Sequence, residues 1–250
     1  MSKLRAFSIH LIASVIIFLV FLGIMFWVWY PPPYFAIDGG WVVLRVLASV
    51  DVVVGPLLTL ILFKPGKPGL KFDMSCIILM QLGALIYGGT TIYQQRPAFV
   101  VFSVDRFTTV PAAEVEFDKL KYPELQRHFG IGPLFAQAPL PDDFQQQQDL
   151  LFGVLLEGQK DLEFRAEFYK PYQPDLAQLR TRSIDLKKIA VLNENAKIAI
   201  EAFVAQHEGR LEGYFYLPLR GKHKDIVMVL SSKDGMPVGS IDISPWLGDY

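Results

Sequence analysis

The sequence predicts an α+β protein: three transmembrane helices, then an α+β domain outside the cytoplasm that ends in an antiparallel β-meander. Three observations predict it. Three long apolar runs are confined to the first 94 residues, lysines are placed asymmetrically between them, and the periodicity changes after Arg96. The runs cover residues 8–30, 41–63 and 73–94, each 22–23 residues long. At ~1.5 Å rise per residue, ~20 residues cross a ~30 Å hydrocarbon core. The first run is uncharged, the second holds only Arg45 and Asp51, and the third only Asp73 at its start.

Lys3 and Arg5 precede the first run, the 31–40 loop has neither Lys nor Arg, and the 64–72 loop holds Lys64, Lys67 and Lys71. Loops rich in Lys and Arg stay in the cytoplasm. The N-terminus is therefore expected inside, the first loop outside, the second inside, and everything after Arg96 outside. The first run exceeds the ~7–15-residue apolar region of a cleaved signal and lacks a small-residue cleavage site, so it reads as a signal anchor. Trp27, Trp29 and Tyr30 suit the interfacial belt, and Pro31–Pro33 stops the helix.

The domains fall at 1–96 and 97–250. The second is long enough for one hydrophobic core. It carries 17 Lys and Arg against 22 Asp and Glu, whereas the first part carries seven against three. An acidic domain has no electrostatic affinity for nucleic acid, and its surface repels anionic lipid. The single cysteine, Cys76, lies in the third run. That excludes a disulfide, a cysteine zinc site and a cysteine nucleophile in the outer domain.

Beyond Arg96, residues 98–102 (AFVVF) and 103–110 (SVDRFTTV) read as strands, ended by Pro111. Short helices are expected at 122–129 and 142–156, the latter capped by Asp142 or Asp143. Over 185–207, Leu186, Ile189, Leu192, Ala196, Ala199, Ile200, Phe203 and Val204 recur at helical spacing, which predicts one helix with Gly209 at its C-cap. Strands follow at 213–219, 226–231 and 238–243, with Asp234-Gly235 as the hairpin turn between the last two. Tyr214, Phe215 and Tyr216 must point to both faces of their strand, so one face is either further core or a contact surface. Phe164, Phe168, Tyr169 and Tyr172 crowd a second aromatic stretch.

Candidate site residues lie in the apolar part. Asp51 and Gln81 fall near mid-membrane. A carboxylate there costs roughly 2.5–3.5 kcal/mol on insertion scales, so it needs a partner, a wet cavity or a proton. Their depths differ by about 6 Å of helical rise, a gap that long side chains or one water can bridge. The pair is either a polar clamp between helices or a docking point for another membrane helix. Arg45, nearer the outer end, can snorkel to the interface. It lies about 240° round the helix from Asp51, so the two do not pair. Ala84 and Gly88 form a small-xxx-small pair that permits close helix approach. Pro56 removes a backbone donor and should kink its helix, freeing the Val52 carbonyl, and Thr59 can supply a local hydrogen bond.

Catalytic constellations are missing. His128, His207 and His223 lie on separate segments, and Gly130-Ile131-Gly132-Pro133 lacks the strand–glycine–helix context of a phosphate loop. No nucleophile, metal or cofactor motif appears in context, so the chain reads as a non-enzyme.

The run 51–73 (DVVVGPLLTLILFKPGKPGLKFD, with Gly55, Pro56, Lys64 and Lys67), then Gln81, Tyr87-Gly88, Arg96-Pro97 and Val104-Asp105-Arg106-Phe107 resembles the TfpX/TfpZ family of type IV pilin accessory proteins. Leu217-Pro218-Leu219 and Pro245-Trp246 fit the same pattern. The resemblance implies a multi-pass protein of the bacterial inner membrane with a cytoplasmic N-terminus and a periplasmic C-terminal domain. It implies a chaperone-like, non-catalytic role in fimbrial biogenesis. The expected partners are the major pilin, the pilus assembly machinery and membrane lipid, with no cofactor. A pilin in the inner membrane presents an apolar helix and a periplasmic head, and a protein with both kinds of domain can touch both at once. The rival reading is an extracytoplasmic sensor or regulatory membrane subunit, which would need a separate output partner, because the expected cytoplasmic share is only a short N-terminus and one loop.

Overall fold

The computed structural model describes residues 2–126, 131–206 and 211–246. Its chain divides into two compact units: Met1–Pro31 with Gly39–Arg96, and Pro32–Asp38 with Pro97–Tyr250.

Three helices of the first unit are long and apolar enough to cross a membrane: Lys3–Trp29, Trp41–Leu62 and Leu70–Gln95. The first consists of α1 (Lys3–Ile24) and a π-helical turn, Met25–Trp29. The Ser2 hydroxyl opens it by accepting the Arg5 N–H at 3.2 Å. It ends just before Pro31–Pro33, whose rings cannot donate to a continuing ladder. The second helix runs through α3 (Trp41–Ala48), a π segment (Ser49–Val54) and α4 (Gly55–Leu62). The disturbance expected from Pro56 takes the form of that π segment, directly before the proline. A missing N–H for the Val52 carbonyl is absorbed by a wider turn. The Thr59 hydroxyl lies 3.2 Å from the Gly55 carbonyl. The third helix is α5 (Leu70–Gln95), entered from Gly69 in the left-handed region, φ 83°. Within this unit α1 packs on α4, and α5 packs on both α3 and α4.

The second unit is built on a mixed seven-stranded sheet of order β4-β3-β1-β2-β5-β6-β7. The strands are β1 (Pro97–Ser103), β2 (Arg106–Pro111), β3 (Leu134–Gln137), β4 (Lys170–Pro171), β5 (Tyr214–Arg220), β6 (Ile226–Ser231) and β7 (Pro237–Ile241). β5-β6-β7 is the expected antiparallel meander, and Gly235 takes a left-handed φ of 69° in the turn. β1 lies parallel to β3, and β2 parallel to β5.

Several expectations are corrected. Residues 103–110 are not one strand: Val104-Asp105 turns the chain, with Val104 at φ 57°, and Phe102 pairs with Phe107 across the hairpin. The 185–207 helix is two, α8 (Leu186–Leu192) and α9 (Glu194–Gln206), broken at extended Asn193. Asn193 accepts the Ala196 N–H at 3.0 Å and so starts a new helix where periodicity alone predicts continuation. Of the expected 122–129 helix, the described part is a single 3₁₀ turn, Pro123–Leu125. His128, Gly130, His207 and Gly209 lie outside the described residues. α6 (Phe144–Glu157) is capped by Asp143, which accepts the Gln146 N–H at 2.9 Å. The short β3, β4 and α7 (Leu176–Arg182) carry too few residues to set a period, and the sequence reading misses them.

Strand alternation sends Val100, Phe102, Phe107, Leu217 and Leu219 to one face, joined by Leu179 of α7. The other face has two clusters. Phe99, Val101 and Val110 pack with Tyr169 and Ala166, and Tyr216, Val227 and Val229 pack with Ile189, Ile200 and Phe203 of α8 and α9. The consecutive aromatics of β5 are thus covered on both faces, Phe215 on the first and Tyr216 on the second. Tyr172 likewise packs against the first core.

The short helix α2 (Tyr34–Asp38) precedes α3 in the chain but belongs to the sheet unit. Tyr34 and Ile37 are buried in the first core. The Ile37 carbonyl accepts the His223 N–H at 2.9 Å and the Lys224 N–H at 3.3 Å. Asp38 is buried, and its Oδ1 accepts the Thr109 hydroxyl at 2.6 Å and the Lys222 N–H at 3.0 Å. Burial holds its pKa above the usual carboxylate range, opposed by those two hydrogen bonds and by the charges of His223 and Lys222. A carboxylate with a raised folded pKa adds most stability below its unfolded pKa of about 3.9, and loses it as pH rises through the folded value. Asp38→Asn keeps the accepting oxygen without the charge. Thermal denaturation at several pH values should find it at least as stable as the natural chain at pH 7, with any advantage shrinking toward pH 4.

Candidate functional site

The polar side chains of the first unit gather in one place. Gln81 of α5 is buried and donates from Nε2 to the Asp51 carbonyl at 2.9 Å, where the π segment presents it. That bond orients the amide, so Oε1 faces His10 of α1, whose Nε2 lies 2.7 Å away. A carbonyl oxygen only accepts, so His10 Nε2 is the donor. In the neutral ring Nδ1 then accepts from the Thr59 hydroxyl of α4, 2.6 Å away. The buried Ser14 hydroxyl, one turn beyond His10 on α1, lies 3.4 Å from Gln81 Nε2. One network therefore ties all three apolar helices together.

Gly55 makes the network possible. A Cβ there would sit 2.1 Å from Gln81 Nε2 and 2.3 Å from its Cδ, so only glycine lets the amide reach the Asp51 carbonyl. The Asp51 side chain takes no part in that contact. It is buried, and its Oδ1 has no hydrogen-bond partner among the described residues. Asp51 and Gln81 meet through the backbone of one and the amide of the other, not carboxylate to amide. His10 and Ser14 were missed by sequence reasoning. The signal was available: His10 and Ser14 lie four apart within an uncharged, largely apolar stretch of the helix and so share a face.

Gly88 is buried against α3, where an added Cβ would lie 3.1 Å from Leu47 Cδ1, whereas Ala84 is half-buried. Arg45 is exposed, as are Lys64 and Lys67, and Lys67 pairs with Asp73 at 2.5 Å. Arg96 caps the end of α5, donating from Nη1 to the Tyr93 carbonyl at 2.7 Å with its guanidinium 3.7 Å from the Tyr93 ring centre. Pro97 opens β1. Asp105 and Arg106 form an ion pair at 2.8 Å at the β1–β2 turn, and Arg106 lies 5.2 Å from the Trp246 ring centre. Phe107 is fully buried. The motif residues thus divide between the polar network, the sheet core and exposed turns. Among the described residues no three His, Cys, Asp or Glu side chains gather as metal ligands would.

Residues 1–39 match the family described as fimbrial assembly protein FimB. That stretch holds the α1 side of the network and the α2 segment. A fimbrial assembly protein of serogroup I from Dichelobacter nodosus is 31% identical over 233 residues, covering 91% of this chain and 90% of that protein. Its counterpart in serogroup E1 is 31% identical over the same shares. The protein of serogroups C1 and C2 is 40% identical over 116 residues, covering 45% of this chain and 88% of its own. No solved structure matches the chain.

Proposed function

The chain belongs to the fimbrial assembly protein family, and we propose that within it the protein is a TfpX/TfpZ-type accessory of the bacterial inner membrane that assists assembly or surface display of a type IV pilin. The observation that carries this reading is the similarity over nine-tenths of both chains to proteins named for fimbrial assembly. It acts by contact and without catalysis. Its apolar helices suit the apolar helix of a membrane-held pilin, and its sheet unit suits the pilin head. Two contacts tethered in one membrane gain from high effective concentration, so each can be weak. The His10–Gln81–Asp51 network holds the helices in a fixed arrangement.

Deleting the gene should reduce surface fimbriae far more than total pilin, with pilin transcript unchanged. Surface fimbriae counted by microscopy, beside immunoblot and transcript levels, test this. A fall in transcript proportional to fimbriae would favour the regulatory subunit instead.

The topology follows the lysines: N-terminus cytoplasmic, sheet unit periplasmic. Alkaline phosphatase joined after residue 110 should be active, and joined within the 64–72 loop inactive. Replacing Lys64, Lys67 and Lys71 by Gln should weaken that difference, and the reverse pattern of activity would reject the orientation.

A further inference from the structure

Two helical faces of the sheet unit are apolar, exposed and opposite in charge. On α6, Leu151 and Leu155 lie beside Phe152 and Leu156, and Leu156 is 78% exposed. Asp149 shares the Phe152 row, one turn earlier. Asp142 and Asp143 lie at the start of the helix and Glu157 at its end, and α6 has no Lys or Arg. Asp149 accepts from Gln145, at 3.2 Å, and Glu157 from Gln159, at 2.8 Å, and neither is ion-paired among the described residues; Arg165, which shares their cleft, pairs with Glu167 instead. On α8, Lys187 and Lys188 stand one turn before Val191 and Leu192 on the same face, with Val191 86% exposed. Neither lysine is ion-paired among the described residues, and Asp185 is turned to its capping role, accepting the Lys187 N–H at 3.0 Å. Because both faces are exposed, neither covers the other within one chain.

We propose that the α6 face of one copy docks on the α8 face of a second copy of this chain, making a head-to-tail contact. Apolar rows meet, and Asp149 and Glu157 meet Lys187 and Lys188. Charge complementarity selects this occupant. Anionic lipid would be repelled by α6, since interfacial helices hold such surfaces through Lys and Arg. A 14-residue helix is marginal in water without a packed face, which gives α6 a reason to be covered. The two faces differ, so the contact is heterologous and propagates into a ring or a row. The contact rests on the preceding reading in one respect: copies held in one membrane share a high effective concentration. A row of accessory copies would present its pilin contacts at a regular spacing.

The test uses the full chain in native membranes, with Cys76→Ser removing the single natural thiol. A chain carrying both Leu155→Cys and Val191→Cys should give a ladder of dimers and larger species with a flexible bismaleimide. Chains carrying one substitution should give no ladder alone and only dimers when the two kinds are co-expressed. Lys187→Glu with Lys188→Glu should abolish the products, and adding Asp149→Lys with Glu157→Lys should restore them. Equal crosslinking by either single variant would overturn the proposal, as would a normal amount of the double variant with no ladder. If the Leu155→Cys thiol is shielded from water-soluble maleimide without any chain-to-chain product, the face lies on lipid and the proposal fails. Capture of pilin alone at that position also overturns it, yet leaves the accessory function standing.

Discussion

Phe107→Ala is expected to cost about 3–5 kcal/mol, the range for emptying a buried aromatic site. Domains are stable by only about 5–15 kcal/mol, so the sheet unit should become protease-sensitive and unfold at markedly lower denaturant. Phe107 is fully buried, with the rings of Phe102, Tyr172 and Phe135 centred 5.0, 5.5 and 6.3 Å away. It also faces Leu219 across the parallel β2–β5 junction, where the hairpin half of the sheet joins the meander. A cavity there loosens both halves. The neighbouring Asp105–Arg106 pair is partly exposed, and such pairs contribute about 0–1 kcal/mol. Asp105→Ala should therefore barely move the midpoint. Denaturant titration of the detergent-solubilised chain, followed by limited proteolysis, separates the two. Unchanged stability of the Phe107→Ala chain with lost fimbriae would mean that the residue is a contact and not a core anchor.

Gly55→Ala should have the next largest effect. Its Cβ would overlap the Gln81 amide, which must then leave both the Asp51 carbonyl and His10. Interhelical polar contacts in membranes average ~0.6 kcal/mol and reach ~1.7, and overpacking adds about 1–3, so a loss of about 2–4 kcal/mol is expected. Gln81→Ala alone should cost about 1–2 kcal/mol by losing the same contacts without strain. In the double variant the clash has no partner, so the losses should be strongly non-additive. Unfolding in mixed detergent measures all three chains. Additive losses would show that Gly55 and Gln81 act independently and that the network is not what holds the helices.

Much of this architecture follows from local pattern. Length and apolarity alone mark the three long helices, because each helix satisfies its own backbone and needs no partner to be recognised. The meander is legible because alternation and the Asp234-Gly235 turn are short-range signals. Asp143 as a cap is legible for the same reason. The site was only half legible. Asp51 and Gln81 stand out as polar groups in apolar runs, but nothing local says that Gln81 takes the Asp51 backbone and not its carboxylate. His10 and Gln81 are 71 positions apart, and only helix packing brings them to 2.7 Å. The same holds for Asp38, which the sequence assigns to a loop between apolar helices and which folding places against Thr109, also 71 positions on. The break at Asn193 escapes periodicity because a cap can end a helix while most of the apolar stripe still faces the core; Leu192, expected in that stripe, is exposed at the break. The sequence by itself determined which segments are apolar helices, which strands form the C-terminal meander, and where the charge lies. Tertiary structure decided which polar groups meet, and that Gly55 and Gly221 are sites of close approach, since an added Cβ meets Gln81 at the first and the Ile37 and Lys224 backbone at the second. The physical reason is that hydrogen-bond partners and steric limits belong to pairs of residues far apart in the chain, and a local pattern carries information about one segment at a time.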